Sequence, residues 1–381
     1  MYPICGGGLR EEIICYRCGT HAEDDLEPRC SHCGGPLILS YDRMFDVSRI
    51  RTGVQSMWRY ADVMPPSLSS KPITLGEGGT PITRIHDTEI YVKLDYLMPT
   101  CSFKDRGTSA LMTHYLGASH GYPKGVVEDS SGNAGASVAA YSAYVGLDCV
   151  IYSLRQAAPA KLSQILAYGA RVELLDVRND ELTREAERAA QRLGYLYIGH
   201  SWNPYFIEGM TTAAYEISEQ LDWNPPDRIY VPTSAGTLLL GIITGFHTLL
   251  SSGILDRMPK IVAVQPSVNA PLYHAFKGTT ATSPKPSIAD ALTHTKPPRL
   301  SQMVRELKIV GGEVTTVSED EILRACKELA LTGIYVEPSA AVGYAAIRRE
   351  LDEIVSSELR VLTVATGSGL KVAKEVRAGG D

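Results

Sequence analysis

The sequence predicts an α/β fold with largely parallel sheets, preceded by a small cysteine-rich element. Three observations carry that expectation. Short runs rich in β-branched residues ("KGVVEDS", "DCVIYSL", "RVELLD", "YLYIGH", "RIYVPT", "KIVAVQP", "RVLTVATG") alternate with longer helical patterns, and such alternation builds parallel strands joined by helices. Polar, glycine-containing clusters recur where a strand gives way to a helix, as in "EDSSGNAGAS", "VPTSAGTLLLG" and "VATGSGLK". Four of the eight cysteines crowd into residues 15–33.

Taken in order, the first element is "CYRCG" followed by "CSHCGG". Two Cys-x-x-Cys pairs, each followed by glycine, let two tight turns aim Cys15, Cys18, Cys30 and Cys33 at one tetrahedral zinc, and four thiolates leave no position for water. The expectation is a structural metal, with a metal-free or redox cluster as the alternative and Cys5, His21 and His32 as spare ligands. Residues 41–75 include "MPPSLSSKP", which reads as linker and turn. A catalytic module begins near Thr74. Its clearest helix is "SEDEILRACKELALTG", with Ser318 as N-cap, Glu321 as capping-box partner and Gly333 at the end.

Composition bounds the function. The chain has 381 residues, 44% hydrophobic and 21% charged, with a net charge of −6, enough for a sizeable core and two or three modules. Phosphate neutralisation needs a basic excess that is missing here, so no nucleic-acid partner is expected. No apolar run approaches the roughly 20 residues of a membrane span, and no basic-then-apolar leader opens the chain. A cytoplasmic protein with no membrane partner is expected.

Open α/β sheets collect ligands beyond the carboxyl ends of their strands. Ser234, Ala235, Gly236 and Thr237 are small enough for backbone amides to approach a phosphate at the positive end of the next helix. Any single loop of this kind also reads as an ordinary turn. In "CSFKDRGTSA" a lysine stands between an aromatic residue and an acid, ahead of an apolar run; alone, it reads equally as a surface charge.

The order of the motifs resolves this ambiguity by resemblance. "GEGGTP" (76–81), "SFKDRG" (102–107), "SSGNAG" (130–135), "EGMTTAAYEI" (208–217) and "ATGSGLK" (365–371) resemble the fold-type II pyridoxal phosphate enzymes, and within them the threonine synthases. The resemblance covers residues 74–375 and extends to the N-terminal cysteines, since related members carry a zinc element there. It implies two open, mainly parallel α/β subdomains with the cofactor between them, a zinc-ribbon-like element at 1–40, a linker or helical segment at 41–75, and a catalytic module at 76–381 whose smaller mobile subdomain spans about 115–200. It implies a homodimer acting on a small amino-acid substrate, converting O-phospho-L-homoserine and water to L-threonine and phosphate.

Carried over residue by residue, Lys104 holds pyridoxal phosphate covalently and moves protons, which needs an amine of lowered pKa. Phe103 packs beside it, and Asp105 and Arg106 orient the loop. Asn133 meets the phenolic oxygen of the cofactor, Thr366 its pyridine nitrogen, and Ser234, Ala235, Gly236 and Thr237 its phosphate. Ser130, Ser131 and Gly132 receive the substrate carboxylate, and Ser201 lies at the substrate phosphate. Glu208 braces an interface, and Glu337 works behind the contact residues.

The chain departs from the pattern where the substrate phosphate is gripped. Threonine synthases carry Asn-Ser-x-Asn-Pro-x-Arg-Leu-Glu-Gly, whereas this chain reads "HSWNPYFIEG". His200 replaces the asparagine, and Phe206 replaces the arginine whose forked hydrogen bonds a phenyl ring cannot imitate. Ala134 replaces a threonine, and "TSAGT" replaces a Gly-Asn-x-Gly-Asn loop. Either Arg155, Lys161 or His200 supplies the clamp, or the substrate is a serine-type amino acid undergoing β-replacement or β-elimination.

Overall fold

The computed structural model describes residues 11–68, 71–117, 123–130, 132–177, 179–281 and 283–372. These form an α/β structure with two largely parallel sheets, as expected, and a separate two-stranded ribbon. The ribbon pairs β1 (Glu12–Cys15) antiparallel with β2 (Leu37–Ser40). Residues 41–68 then make three 3-10 turns, at Val47–Arg49, Met57–Val63 and Pro66–Leu68. Their composition suggests a connector, yet Met57, Trp58, Tyr60 and Leu68 are at most 2% exposed. The Trp58 indole donates to Glu77 at 2.7 Å and to Ser109 at 2.9 Å, which ties the segment to the first long helix.

The chain continues through β3 (Ile82–Arg84), β4 (Ile90–Lys93), α1 (Lys104–Gly117), β5 (Gly125–Glu128), α2 (Asn133–Val145), β6 (Asp148–Leu154) and α3 (Pro159–Ala167). Next come β7 (Arg171–Leu175), α4 (Asn179–Leu193), β8 (Leu196–Tyr197), α5 (Pro204–Gln220), β9 (Arg228–Pro232), α6 (Thr237–Ser251) and β10 (Lys260–Pro266). The last elements are α7 (Pro271–Lys277), α8 (Leu300–Ile309), β11 (Glu313–Val317), α9 (Glu319–Leu331), α10 (Pro338–Arg349), α11 (Leu351–Ser356) and β12 (Val361–Val364). One sheet has the order β7-β6-β5-β8 and is parallel throughout. The other runs β11-β10-β9-β12-β4-β3, parallel except for β3 at its edge.

All seven β-branched runs form strands. Within the two parallel sheets, β3, β4 and β11 are additional. They are only three to five residues long, and β3 and β11 lie at sheet edges with half-exposed residues, so they lack the long apolar signature. In α9 the Ser318 side chain accepts from Glu321 N, and Ser318 N donates to Glu321 at 2.7 Å. This is the expected capping box.

The interior is organised around α5, which is buried on nearly every face, as a helix surrounded by other elements must be. Close approach of its neighbours requires glycine. A Cβ on Gly209 would lie 2.1 Å from Arg106 O of α1, and one on Gly241 of α6 would lie 2.3 Å from Met210 Cβ. Charges are buried here in complementary sets: Arg106 meets Asp95 at 2.9 Å and Glu216 at 2.7 Å, and Lys93 meets Glu216 at 2.8 Å. Burial alone would raise the Glu216 carboxyl, but Arg106 and Lys93 hold it below its usual range. The network pins α1, α5 and β4 together, and Arg106 works as structure.

Candidate active site

The loops that follow strands of both sheets enclose a pocket of about 800 Å³. Lys104 opens α1 at its rim because the preceding turn is fixed by Asp105, which accepts from Thr100 N at 2.7 Å, Thr100 Oγ1 at 2.6 Å and Ser137 Oγ at 2.6 Å. The amine reaches into the pocket, 4.7 Å from the Phe103 ring centre and 5.9 Å from that of Phe206. Burial pushes the Lys104 amine down to about 8, with Glu128 and Glu337 opposing the shift. A helix N-terminus is itself unfavourable for a cation.

Across the pocket the turn after β9 leads into α6. Gly236 has φ +93°, and a Cβ there would lie 2.2 Å from Met303 Sδ, so only glycine fits. The first-turn amides of α6 have no partners within the helix, and Gly236 through Leu239 line the cavity. Ser234 Oγ is buried without a hydrogen-bond partner among the described residues.

Asn133 opens α2 and is held from both sides: Lys371 Nζ donates to its Oδ1 at 2.9 Å, and its Nδ2 donates to Glu337 at 2.7 Å. Glu337, also 3.3 Å from Lys161, therefore orients Asn133 from behind. Thr366 lines the pocket and is 5% exposed, and its carbonyl accepts from Phe103 N at 3.0 Å. Ser130 and Gly132 line the same cavity, with Gly132 N donating to Ser130 Oγ at 3.3 Å; Ser131 lies outside the described residues.

Ser201 lies on the loop between β8 and α5, 6% exposed. Its Oγ is 3.1 Å from His200 Nε2, and His200 Nδ1 is 2.6 Å from Glu128 Oε1. Phe206 is fully buried, packed so tightly that a Cβ on Gly107 would meet its ring at 2.5 Å. Of the cations named as replacements for arginine, Lys161 lines the pocket but is paired with Asp290 at 2.8 Å, and Arg155 is exposed on the turn after β6. Glu208 accepts from Tyr41 Oη at 3.0 Å and Arg43 Nη1 at 2.8 Å, bracing residues 41–43 against α5.

Away from the pocket, the sulfurs of Cys15, Cys18, Cys30 and Cys33 lie within 4.8 Å of one another. Four soft donors converging this way fit a tetrahedral zinc.

The family described as pyridoxal-phosphate dependent enzyme matches residues 73–367. The chain belongs to this family. The threonine synthase of Methanosarcina acetivorans is 32% identical to it, the match spanning 94% of this chain and 92% of that protein. That of Methanocaldococcus jannaschii is 33% identical over the same shares. Maize serine racemase, 24% identical, superimposes with a TM-score of 0.66 over 76% of this chain and 88% of that one, a likeness of fold.

The residues present fit the family's cofactor. A lysine amine of lowered pKa, a glycine turn feeding amides into the cavity and the orphaned Ser234 hydroxyl suit the attachment and the phosphate of pyridoxal phosphate. Sequence reasoning overlooked Glu128, Lys371 and His294. Lys371 stands at the end of the "ATGSGLK" run and Glu128 closes an apolar strand, where an acid has to be satisfied by something, but the partner of neither is legible locally.

Proposed function

We propose that the chain is a threonine synthase, converting O-phospho-L-homoserine and water to L-threonine and phosphate. What carries this reading is the similarity of nearly the whole chain to threonine synthases, 32% and 33% identical. Lys104 holds the cofactor, and Ser234, Ala235, Gly236 and Thr237 receive its phosphate. Asn133 has a second amide hydrogen for the phenolic oxygen, Thr366 offers a neutral hydroxyl to the ring nitrogen, and Phe103 packs at the lysine. Ser130, Gly132 and Ser201 receive substrate, with Ser131 assigned by motif. Bound there, pyridoxal phosphate supplies an electron sink for the carbon bearing the substrate amine.

The protein's own contribution is to lower the Lys104 amine to about 8 by burial, which makes its basic, proton-accepting form far more accessible near neutral pH than that of an exposed lysine, and to exclude water with Phe103 and Phe206. The same reading takes Cys15, Cys18, Cys30 and Cys33 as ligands of a structural zinc, and the protein as a cytoplasmic homodimer, for which light scattering against a 41.4 kDa chain is the measurement.

The test is incubation of the purified holoenzyme with O-phosphohomoserine, followed by assay of threonine and phosphate. A second reading, β-replacement or β-elimination on serine-type substrates, is favoured by one observation: the phenyl ring of Phe206 is fully buried where a phosphate-binding arginine is expected. Turnover of phosphoserine, acetylserine or serine without turnover of phosphohomoserine would select it.

A further inference from the structure

His200 puts a titratable ring where the threonine synthase pattern has asparagine, and the ring is not isolated. Its Nδ1 faces the fully buried Glu128 carboxylate at 2.6 Å, its backbone N–H donates to the same carboxylate at 3.4 Å, and its Nε2 meets Ser201 Oγ at 3.1 Å. Acid, imidazole and hydroxyl form a line. Glu128 seals one end at 0% exposure, and Ser201 lines the Lys104 pocket at the other. An acid that fixes the imidazole orientation, leaving Nε2 to exchange protons with a hydroxyl, is the arrangement general acid–base catalysis uses.

We propose that Glu128, His200 and Ser201 form a proton relay, with Ser201 Oγ as the group that exchanges protons with substrate and water. This rests on reading the pocket as the catalytic site and deepens that reading. In the proposed reaction the loaded relay carries two protons, one shared between Glu128 and His200 Nδ1 and one on His200 Nε2 that faces Ser201. Ser201 gives its proton to the bridging oxygen of the departing phosphate as the C–O bond electrons move onto that oxygen, and His200 Nε2 replaces the proton. When water adds, its oxygen forms the new C–O bond, its proton passes to Ser201, and the proton of Ser201 returns to His200. Over one cycle the water proton leaves on phosphate and the relay is restored.

The surroundings support a shared proton. Burial pushes the Glu128 carboxyl up to about 7, and burial together with Lys104 pushes His200 down, with Asp129 opposing. The groups facing the ring are Glu128 and Asp129 at the end of β5, Lys104 on α1, His294 from the loop before α8, and the Phe206 ring 5.6 Å away on α5. The apolar face of Phe206 removes the charge-bearing partner that the family pattern places there and leaves proton supply to the neighbouring line.

The experiment compares wild type with H200N, E128Q and S201A as full-length holoenzymes, using whichever of O-phosphohomoserine, O-phosphoserine or serine the wild type turns over. The choice of substrate thus tests the functional reading separately. Expected is a loss of kcat of about 100-fold in H200N and S201A, with KM within about threefold in H200N, and loss of the near-neutral limb of the pH profile, while cofactor absorbance is retained. Nitrogen-15 NMR of the ligand-free protein is expected to find the Glu128–His200 pair taking up one proton near neutral pH, seen as His200 Nε2 gaining protonation as the Nδ1 proton shifts toward Glu128, a change displaced in E128Q. The relay is overturned if H200N keeps kcat within about twofold with the wild-type pH profile, or if His200 Nε2 shows no change of protonation between pH 6 and 9.

Discussion

Lys104 acquires its chemistry from where α1 begins. Asp105 fixes the turn, burial penalises the ammonium, and the amine falls to about 8. A lysine whose folded pKa is depressed is protonated below that value and free above it. Cofactor uptake by the apoprotein is therefore expected to accelerate about tenfold per pH unit between pH 6 and 7, flatten through pH 8 and level off above; stopped-flow absorbance measures it, and a rate independent of pH would contradict the assignment. Lys104, Asn133 and Thr366 were legible in sequence because their motifs have a fixed order. Glu128 was not, because its meaning depends on a histidine 72 residues away, and no local pattern reports that separation.

Among the elements, α5 and α6 touch at backbone distance, and Gly241 is what permits it. Gly241→Ala places a methyl 2.3 Å from Met210 Cβ and is expected to cost about 1–3 kcal/mol as overpacking, read from the urea midpoint at unchanged slope. At α9, Ser318→Ala removes the N-cap acceptor of Glu321 N and should cost about 1 kcal/mol in the same assay. The strands show what local pattern can specify. Runs such as β6 and β10 are seven residues long, apolar and bounded by turn residues, so they were legible. β3 and β11 are edges made by pairing with a neighbour, and residues 57–68 become core only because Glu77 and Ser109 are there to receive Trp58.

At the scale of the whole molecule, Arg299 joins distant parts. Fully buried, it donates to Ser201 O at 2.9 Å and to Leu37 O of β2 at 3.0 Å. The cysteine ribbon and the Ser201 loop thus share one guanidinium. If zinc holds the ribbon, chelation should lower the melting temperature and speed amide exchange at 199–203 as well as at 12–40; exchange confined to the ribbon would show the two to be uncoupled. The parallel α/β character was legible as alternating strands and helices, and its division into two sheets only through the family resemblance. This clasp was not, since an arginine in "KPPRLSQ" looks like any surface charge.

The Arg299 contact with Leu37 spans 262 residues, which gives it a meaning in time. At typical synthesis rates the ribbon leaves the ribosome roughly 13–50 s before its clasp exists. If zinc joins the β1–β2 ladder in holding the four thiolates together during that interval, its loading is expected to precede docking. A chain ended at residue 290 is accordingly expected to bind zinc yet leave β2 open to protease. Protection of β2 in that fragment would show that the ribbon docks without the clasp.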